Sequence, residues 1–329
     1  MLSLLMAWAA AMLRRAVAGL PLQLTEIGLG GGSLGNLYTA ISDEQAQTVV
    51  HTAWARGIRY FDTAPHYGLG LSERRLGQAL KRYPRDEYVL STKVGRLLVD
   101  NPSPRLLDDD HFAVAGNLTR RWDFSRDGIR RSVEQSLNRV GVDRFDVLYL
   151  HDPDLASIPD AALTGAAALI ELRDEGLVTA VGIGSNSSVA VTELFRQADI
   201  DIAMIAGRFS VLEQRGADEV FEAAAGRAVV AAGVFNSGIL ASIHPKDGAK
   251  YNYRPVPDRV LSRARHLAEL AESHGATLPQ VSIAFPLRNP AVTSVVLGMK
   301  SAAEVETNMD LALRTTHENF WRALSERPD

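Results

Sequence analysis

Three apolar runs of the chain stop on an ionisable side chain. "IRYFD" ends at Asp62, "YVLSTK" at Lys93 and "FDVLYLH" at His151, and Tyr67 follows Asp62 by five residues. A buried ammonium is costly unless paired, and Asp62 is the obvious counter-charge for Lys93. A free phenol titrates near pH ~10, and an ammonium beside it stabilises the phenolate. The set therefore predicts a Tyr67 whose pKa is lowered enough to exchange a proton near neutrality. That is the proton half of interconverting an alcohol and a carbonyl, with the hydride left to a cofactor. Taken singly, Asp62 fits a helix N-cap, Lys93 a core ion pair and Tyr67 a packed aromatic. His151, Asp152 and Asp154 also suggest metal ligands, but the lysine and phenol suit a metal poorly, so no metal is expected.

Such a set needs a scaffold on which successive strand ends converge. From Thr25 onward short apolar runs alternate with amphipathic stretches, and eight strands are expected: 26–30, 58–62, 88–93, 145–151, 178–184, 202–207, 228–233 and 292–298. Near-continuous apolar strands separated by helical patterns predict a parallel sheet covered by helices. Eight units over about 270 residues match a single-domain α/β fold, a (β/α)8 TIM barrel, whose active site lies at the C-terminal strand ends. A doubly wound sheet is the competitor. Against it, "GLGGGSLG" leads into a polar loop rather than directly into a helix. Residues 95–125 and 235–258 exceed ordinary connections. Both follow strands, so both are expected on the catalytic face as lids or inserts.

With 46% hydrophobic and 22% charged residues, the 329-residue chain is composed like a globular protein with a large core. A net charge of −4 argues against nucleic acid as partner. The lack of cysteine excludes disulfides and thiolate chemistry and fits a cytoplasmic location. "MLSLLMAWAAAMLRR" is too short an apolar run to span a bilayer, and its arginines follow the run, unlike a secretory signal. Residues 1–24 are expected to be an extension outside the core, with the barrel in residues 25–329, and no membrane span is expected.

The stretch "YFDTAPHYGLGLSERRLGQAL", together with "LSTKVG" and "LYLHDPD", closely resembles the aldo-keto reductase superfamily. The resemblance covers the chain from about Thr25 to the final helices. It implies a catalytic tetrad of Asp62, Tyr67, Lys93 and His151. Tyr67 would be the general acid/base, Lys93 would tune it through Asp62, and His151 would orient the substrate oxygen.

The resemblance also implies a nicotinamide dinucleotide across the strand ends. Ser185 and Asn186 would hold the carboxamide, although Ala206 stands where a glutamine usually assists. Phe235 would stack on the ring, and Ser237, Gly238 and Leu240 would meet the pyrophosphate. In the last loop Gly298 and Glu304 stand where NADP-dependent members commonly carry basic residues, with Asn308 kept. That favours NAD over NADP, with Lys300 as the counter-argument. "GGGSLGNLY", "HYGLGLSERRLG", "AGRFSVLEQ" and "VFNSGILA" look like the branch of sugar 1-dehydrogenases and pyridoxal 4-dehydrogenase. That branch implies a small-molecule sugar or aldehyde substrate. Tyr38, His66, Trp122, Arg208 and Asn236 are candidates to line its pocket, each of them equally explicable by packing. The rival expectations are an NADPH-dependent carbonyl reductase and a nucleotide-binding regulatory subunit like the potassium-channel β-subunits.

Overall fold

The computed structural model describes residues 12–214 and 216–326. Eight parallel strands close into a barrel in chain order: β1 (Ile27–Gly30), β2 (Tyr60–Asp62), β3 (Val89–Val94), β4 (Val147–His151), β5 (Ala180–Ser185), β6 (Ile202–Ala206), β7 (Ala228–Ala232) and β8 (Val292–Gly298). β8 pairs with β1, Val295 opposite Ile27 and Gly298 opposite Gly30, which completes the ring. All eight lie where the apolar runs place them. The outward-facing strand residues, such as Leu29, Phe61, Leu90, Leu148 and Ile183, join the main apolar cluster with the surrounding helices. The inward ones, among them Tyr60, Tyr149, Met204, Val230 and Val296, form a separate interior cluster.

Local signals start and stop the helices. Ser42 accepts a hydrogen bond from the Gln45 amide ahead of α1 (Asp43–Ala55), whose first turn carries Asp43 and Glu44. A hydroxyl cap and an acidic first turn are what the unpaired amides there need. Arg15, from the segment expected outside the core, donates to Glu26, to the Leu287 carbonyl and to the Val292 carbonyl.

That expectation needs correcting for the part described. Arg14–Ala16 and Gln23–Thr25 form an antiparallel hairpin, and Val17, Leu22 and Leu24 are buried in the barrel's interior cluster. They fill the end of the barrel opposite the strand C-termini. The hairpin's strands have three residues each, too short to show a period. Residues 1–11 lie outside the described residues.

The two long connections are folded. After β3, Arg96–Arg105 pairs antiparallel with Gly116–Trp122. After β7, a short 3-10 segment (Asn236–Ala241) precedes a two-residue-per-strand hairpin, Lys250–Tyr251 with Arg254–Pro255. Both supply residues to the cavity at the strand C-termini, as expected of inserts on that face.

Candidate active site

A cavity of 720 Å³ opens at the C-terminal strand ends, lined by residues that include Asp62, Tyr67, Lys93 and His151. The parallel register sets this convergence. Asp62 pairs with Ser91 across β2–β3, Lys93 with Tyr149 across β3–β4, and His151 with Gly184 across β4–β5. Alternation along each strand then sends Asp62, Lys93 and His151 into the barrel mouth. The loop after β2 brings Tyr67 over them.

Lys93 Nζ donates to Asp62 Oδ2 at 2.6 Å and to the Thr63 carbonyl at 3.1 Å, with both side chains 3% exposed. The ammonium sits 4.7 Å from the centre of the Tyr67 ring. Burial opposes the charge on Lys93, but Asp62 and Tyr67 outweigh it and raise the lysine pKa, so the amine stays protonated. Tyr67 departs from expectation. Burial raises its pKa more than the Lys93 charge lowers it, so the phenol is held above, not below, its ordinary value. The reason is dielectric: the enclosure that brings Lys93 close also withholds water from the phenolate.

His151 and Tyr67 meet edge to face, with ring centres 5.8 Å apart. Burial, then the Arg96 charge, pushes the His151 pKa well below 6.5, and the same two causes act on His66. Both imidazoles are neutral at physiological pH. His151 Nε2 lies 3.6 Å from Asp152 Oδ2.

A residue that sequence reasoning missed completes this wall. Arg96 is 7% exposed and lines the cavity. It donates to Asp152 Oδ2 at 2.5 Å and lies 3.3 Å from His66 Nδ1, with its guanidinium 4.4 Å over the Trp122 ring. The strand alternation that marks Lys93 stops at Gly95, whose φ of 98° turns the chain into the hairpin. A Cβ at Gly95 would come within 2.2 Å of the Phe124 ring, so only glycine fits. His111, Phe112, Leu155 and Tyr253 are further lining residues with no sequence signal of their own.

The remaining candidates separate into two groups. His66, Ser185, Asn186 and Gly298 line the cavity. Ser185 Oγ donates to Asp154 at 2.7 Å, and Asn186 Nδ2 donates to the Ala206 carbonyl at 2.8 Å, so at Ala206, expected to stand in place of the usual glutamine, it is the backbone that anchors Asn186. The others stand behind or beyond the wall. Trp122 backs Arg96. Arg208 ties the Asn186 carbonyl to Asn252. Asn236 is buried in bonds to Ser210 and the Gly207 carbonyl. Leu240 is buried in a satellite core against which Phe235 packs, and the Leu240 and Gly238 amides both donate to the Phe235 carbonyl. Tyr38 lies under Lys250, whose Nζ is 3.7 Å from its ring centre, and Ser237 Oγ accepts from the Tyr253 amide.

Lys300, Glu304 and Asn308 lie past the Gly298 end of the cavity. There Ser301 caps α9 (Ala302–Ala312) by accepting from the Glu304 amide, while the Glu304 carboxylate accepts from the Lys300 amide. Among the described residues no group of three or more His, Asp or Glu is placed to hold a metal ion, and no helix is long and apolar enough to cross a membrane.

An ion-paired lysine, a phenol and a neutral imidazole at one barrel mouth are the chemistry of carbonyl–alcohol interconversion, and comparison agrees. The model of the aldo/keto reductase family matches residues 26–326. The chain belongs to this family. It is 45% identical over 316 residues to the D-threo-aldose 1-dehydrogenase of a Pseudomonas species, covering 94% of this chain and 96% of that one. It is 35% identical over 331 residues to the pyridoxal 4-dehydrogenase of Microbacterium luteolum, again covering 94% and 96%. Among solved structures, an aldo-keto reductase from Bacillus halodurans in its holo form superposes with a TM-score of 0.77 at 25% identity, over 96% of each chain. The protein is an oxidoreductase of the NAD(P)H-using aldo-keto reductases.

The cavity suits a nicotinamide. Met204, Ala206, Ala232 and Val296 give it an apolar floor at the strand ends, and two glycines leave room beside it. A Cβ at Gly184 would stand 3.5 Å from Lys93 Cε, and one at Gly298 3.4 Å from Ser33 Oγ.

Proposed function

We propose that this enzyme oxidises an aldose, as its cyclic hemiacetal, to the lactone with NAD. The observation that carries the reading is the 45% identity with D-threo-aldose 1-dehydrogenase over nearly the whole of both chains. The cavity supports it: Arg96, Asp110, His66, His111 and Asp152 offer a polyhydroxy ring both donors and acceptors.

In this reading Tyr67 removes the proton of the anomeric hydroxyl, and Lys93, kept charged by Asp62, stabilises the phenolate that does so. His151, neutral, donates to the substrate oxygen and fixes its direction. Ser185 and Asn186 would hold the nicotinamide, which when bound accepts the hydride from the anomeric carbon. Because burial holds the Tyr67 pKa up, the base form is scarce at neutrality and oxidation should quicken with rising pH. Carbonyl reduction, which needs the protonated phenol, should not.

Preference for NAD over NADP is part of the proposal. The N-terminus of α9 is the natural place for an anion. Here Glu304 occupies it, accepting from the Lys300 amide. A 2′-phosphate would have to displace a carboxylate from its own site.

The test is a screen of purified protein for NAD and NADP reduction with L-fucose, D-arabinose, L-galactose and pyridoxal at alkaline pH. Reduction of NAD by one of the sugars is expected. Turnover confined to pyridoxal, or to aldehyde reduction with NADPH, overturns the sugar reading.

A further inference from the structure

Behind the Asp62–Lys93 pair lies a run of buried hydroxyls. Ser91 Oγ is 2.7 Å from Asp62 Oδ1, the carboxylate oxygen that Lys93 does not use. Ser91 Oγ is in turn 3.2 Å from the Tyr60 hydroxyl, and that hydroxyl is 3.0 Å from the Tyr149 hydroxyl. Tyr60, Ser91 and Tyr149 are fully buried, on the inward faces of β2, β3 and β4.

Counting protons fixes the direction of the chain. A carboxylate only accepts, so Ser91 spends its single proton on Asp62. The Ser91 oxygen is left to accept from Tyr60, and the Tyr60 oxygen to accept from Tyr149. Every link then runs the same way, Tyr149 to Tyr60 to Ser91 to Asp62, and the chain ends on the anion. Bonds aligned in this manner polarise one another, most strongly where water is excluded.

We propose that Tyr149, Tyr60 and Ser91 are positioning residues of the catalytic machinery: a hydroxyl relay that holds Asp62 ionised against Lys93 and thereby sets where Tyr67 titrates. The barrel makes room for it deliberately. A Cβ at Gly28 would come within 2.8 Å of the Tyr60 ring, so the neighbouring strand gives up a side chain to admit the phenol.

The energetics run in the direction the relay requires. Burial raises the Asp62 pKa above its ordinary value, and Lys93 and then Ser91 offset only part of that rise, so the carboxylate depends on both donors. Burial also raises both relay phenols, so neither competes as an anion. Without Ser91 the carboxylate would lose its second donor and take the lysine proton more readily. Tyr67 would then face a weaker positive charge. The other groups acting on Tyr67 are Asp152, just past β4, Arg96, from the hairpin after β3, and Tyr253, from the hairpin after β7. Those acting on His151 are Arg96, His66, Lys93 and Arg120. Apart from Lys93, whose charge also acts on Tyr60, none of these touches the relay, so a change there should reach Tyr67 through Asp62 and Lys93.

The proposal takes Tyr67 as the tuned phenol, and its test does not depend on knowing the substrate. Tyrosinate ultraviolet absorbance is titrated in the wild type and in Tyr67→Phe, and the difference isolates Tyr67. The same difference is taken in a Ser91→Ala background, in a Ser91→Thr background and in a Tyr149→Phe background. Ser91→Ala should move the Tyr67 titration to higher pH, Ser91→Thr should restore it, and Tyr149→Phe should move it the same way by less. Where Ser91→Ala does not fold, Tyr149→Phe decides alone, since it keeps the ring and removes one hydroxyl. An unchanged Tyr67 titration in the deciding variant overturns the relay. The sugar reading fails separately, by absence of turnover in the wild type.

Discussion

Arg96 shows how much of the site's electrostatics rests on one side chain. It is paired with Asp152, faces His66 and contributes to keeping both pocket histidines neutral, after burial. Replacing it with methionine removes a positive charge and leaves Asp152 as a nearby anion. Both changes raise the His151 and His66 pKa values. In wild type, imidazole proton resonances of these two residues, assigned with His66→Gln, should titrate well below pH 6.5, and in Arg96→Met both should move up. If either histidine titrates near 6.5 in wild type, its neutral role in the pocket is wrong. Loss of a charged donor to a buried acceptor is worth about 1.5–3 kcal/mol. If Arg96 also binds substrate, kcat/KM should therefore fall roughly ten- to hundredfold. Asp152→Asn in the Arg96→Met background removes the stranded carboxylate and should return the histidine titrations toward wild type.

At the scale of elements, the legible and illegible parts of the site divide by periodicity. Asp62 and His151 end their strands and Lys93 is the last residue but one of its own, each at the close of an apolar run visible in the sequence, so their convergence at one barrel mouth is legible without coordinates. Arg96 comes after a glycine turn, and His111 and Phe112 come from the far end of a hairpin whose strands read only as a long connection; no period carries across either break. The direction of the Tyr67 shift is not legible for a related reason: sequence names its charged neighbour but not the degree of enclosure. The last loop adds a case in which a functional expectation and a structural role share one residue. Glu304 is expected beside the adenosine ribose, and it also closes the first turn of α9 by accepting from the Lys300 amide. Glu304→Arg should therefore act twice. It should narrow or reverse the kcat/KM preference for NAD over NADP, and it should destabilise the helix start by about 0.5–1 kcal/mol, since a cation replaces an anion at a helix N-terminus. Steady-state kinetics with both cofactors and a melting curve read the two effects. A wild-type preference for NADP would show that Lys300 or another donor, not Glu304, governs this site.

Across the whole molecule, chemistry is confined to one end of the barrel and closure to the other. The N-terminal hairpin contributes Val17, Leu22 and Leu24 to the same interior cluster that contains Tyr60 and Tyr149, so the plug and the hydroxyl relay are in one packing unit. Leu24 is fully buried there. Its truncation to alanine should leave a cavity that the closed ring of strands cannot collapse into, at a cost of about 2–5 kcal/mol. Asp62, Lys93 and His151, held by strand register at the opposite end, and Tyr67 on its loop should survive this loss. Leu24→Ala is therefore expected to lower the urea midpoint clearly while kcat at 25 °C stays within about twofold of wild type. An unchanged midpoint would mean that the hairpin is an appendage to the barrel. A large fall in kcat with a native midpoint would mean instead that packing at the closed end is transmitted through Tyr60 and Tyr149 to Asp62. The relay would then be a mechanical support for the Asp62–Lys93 pair as well as an electrostatic one.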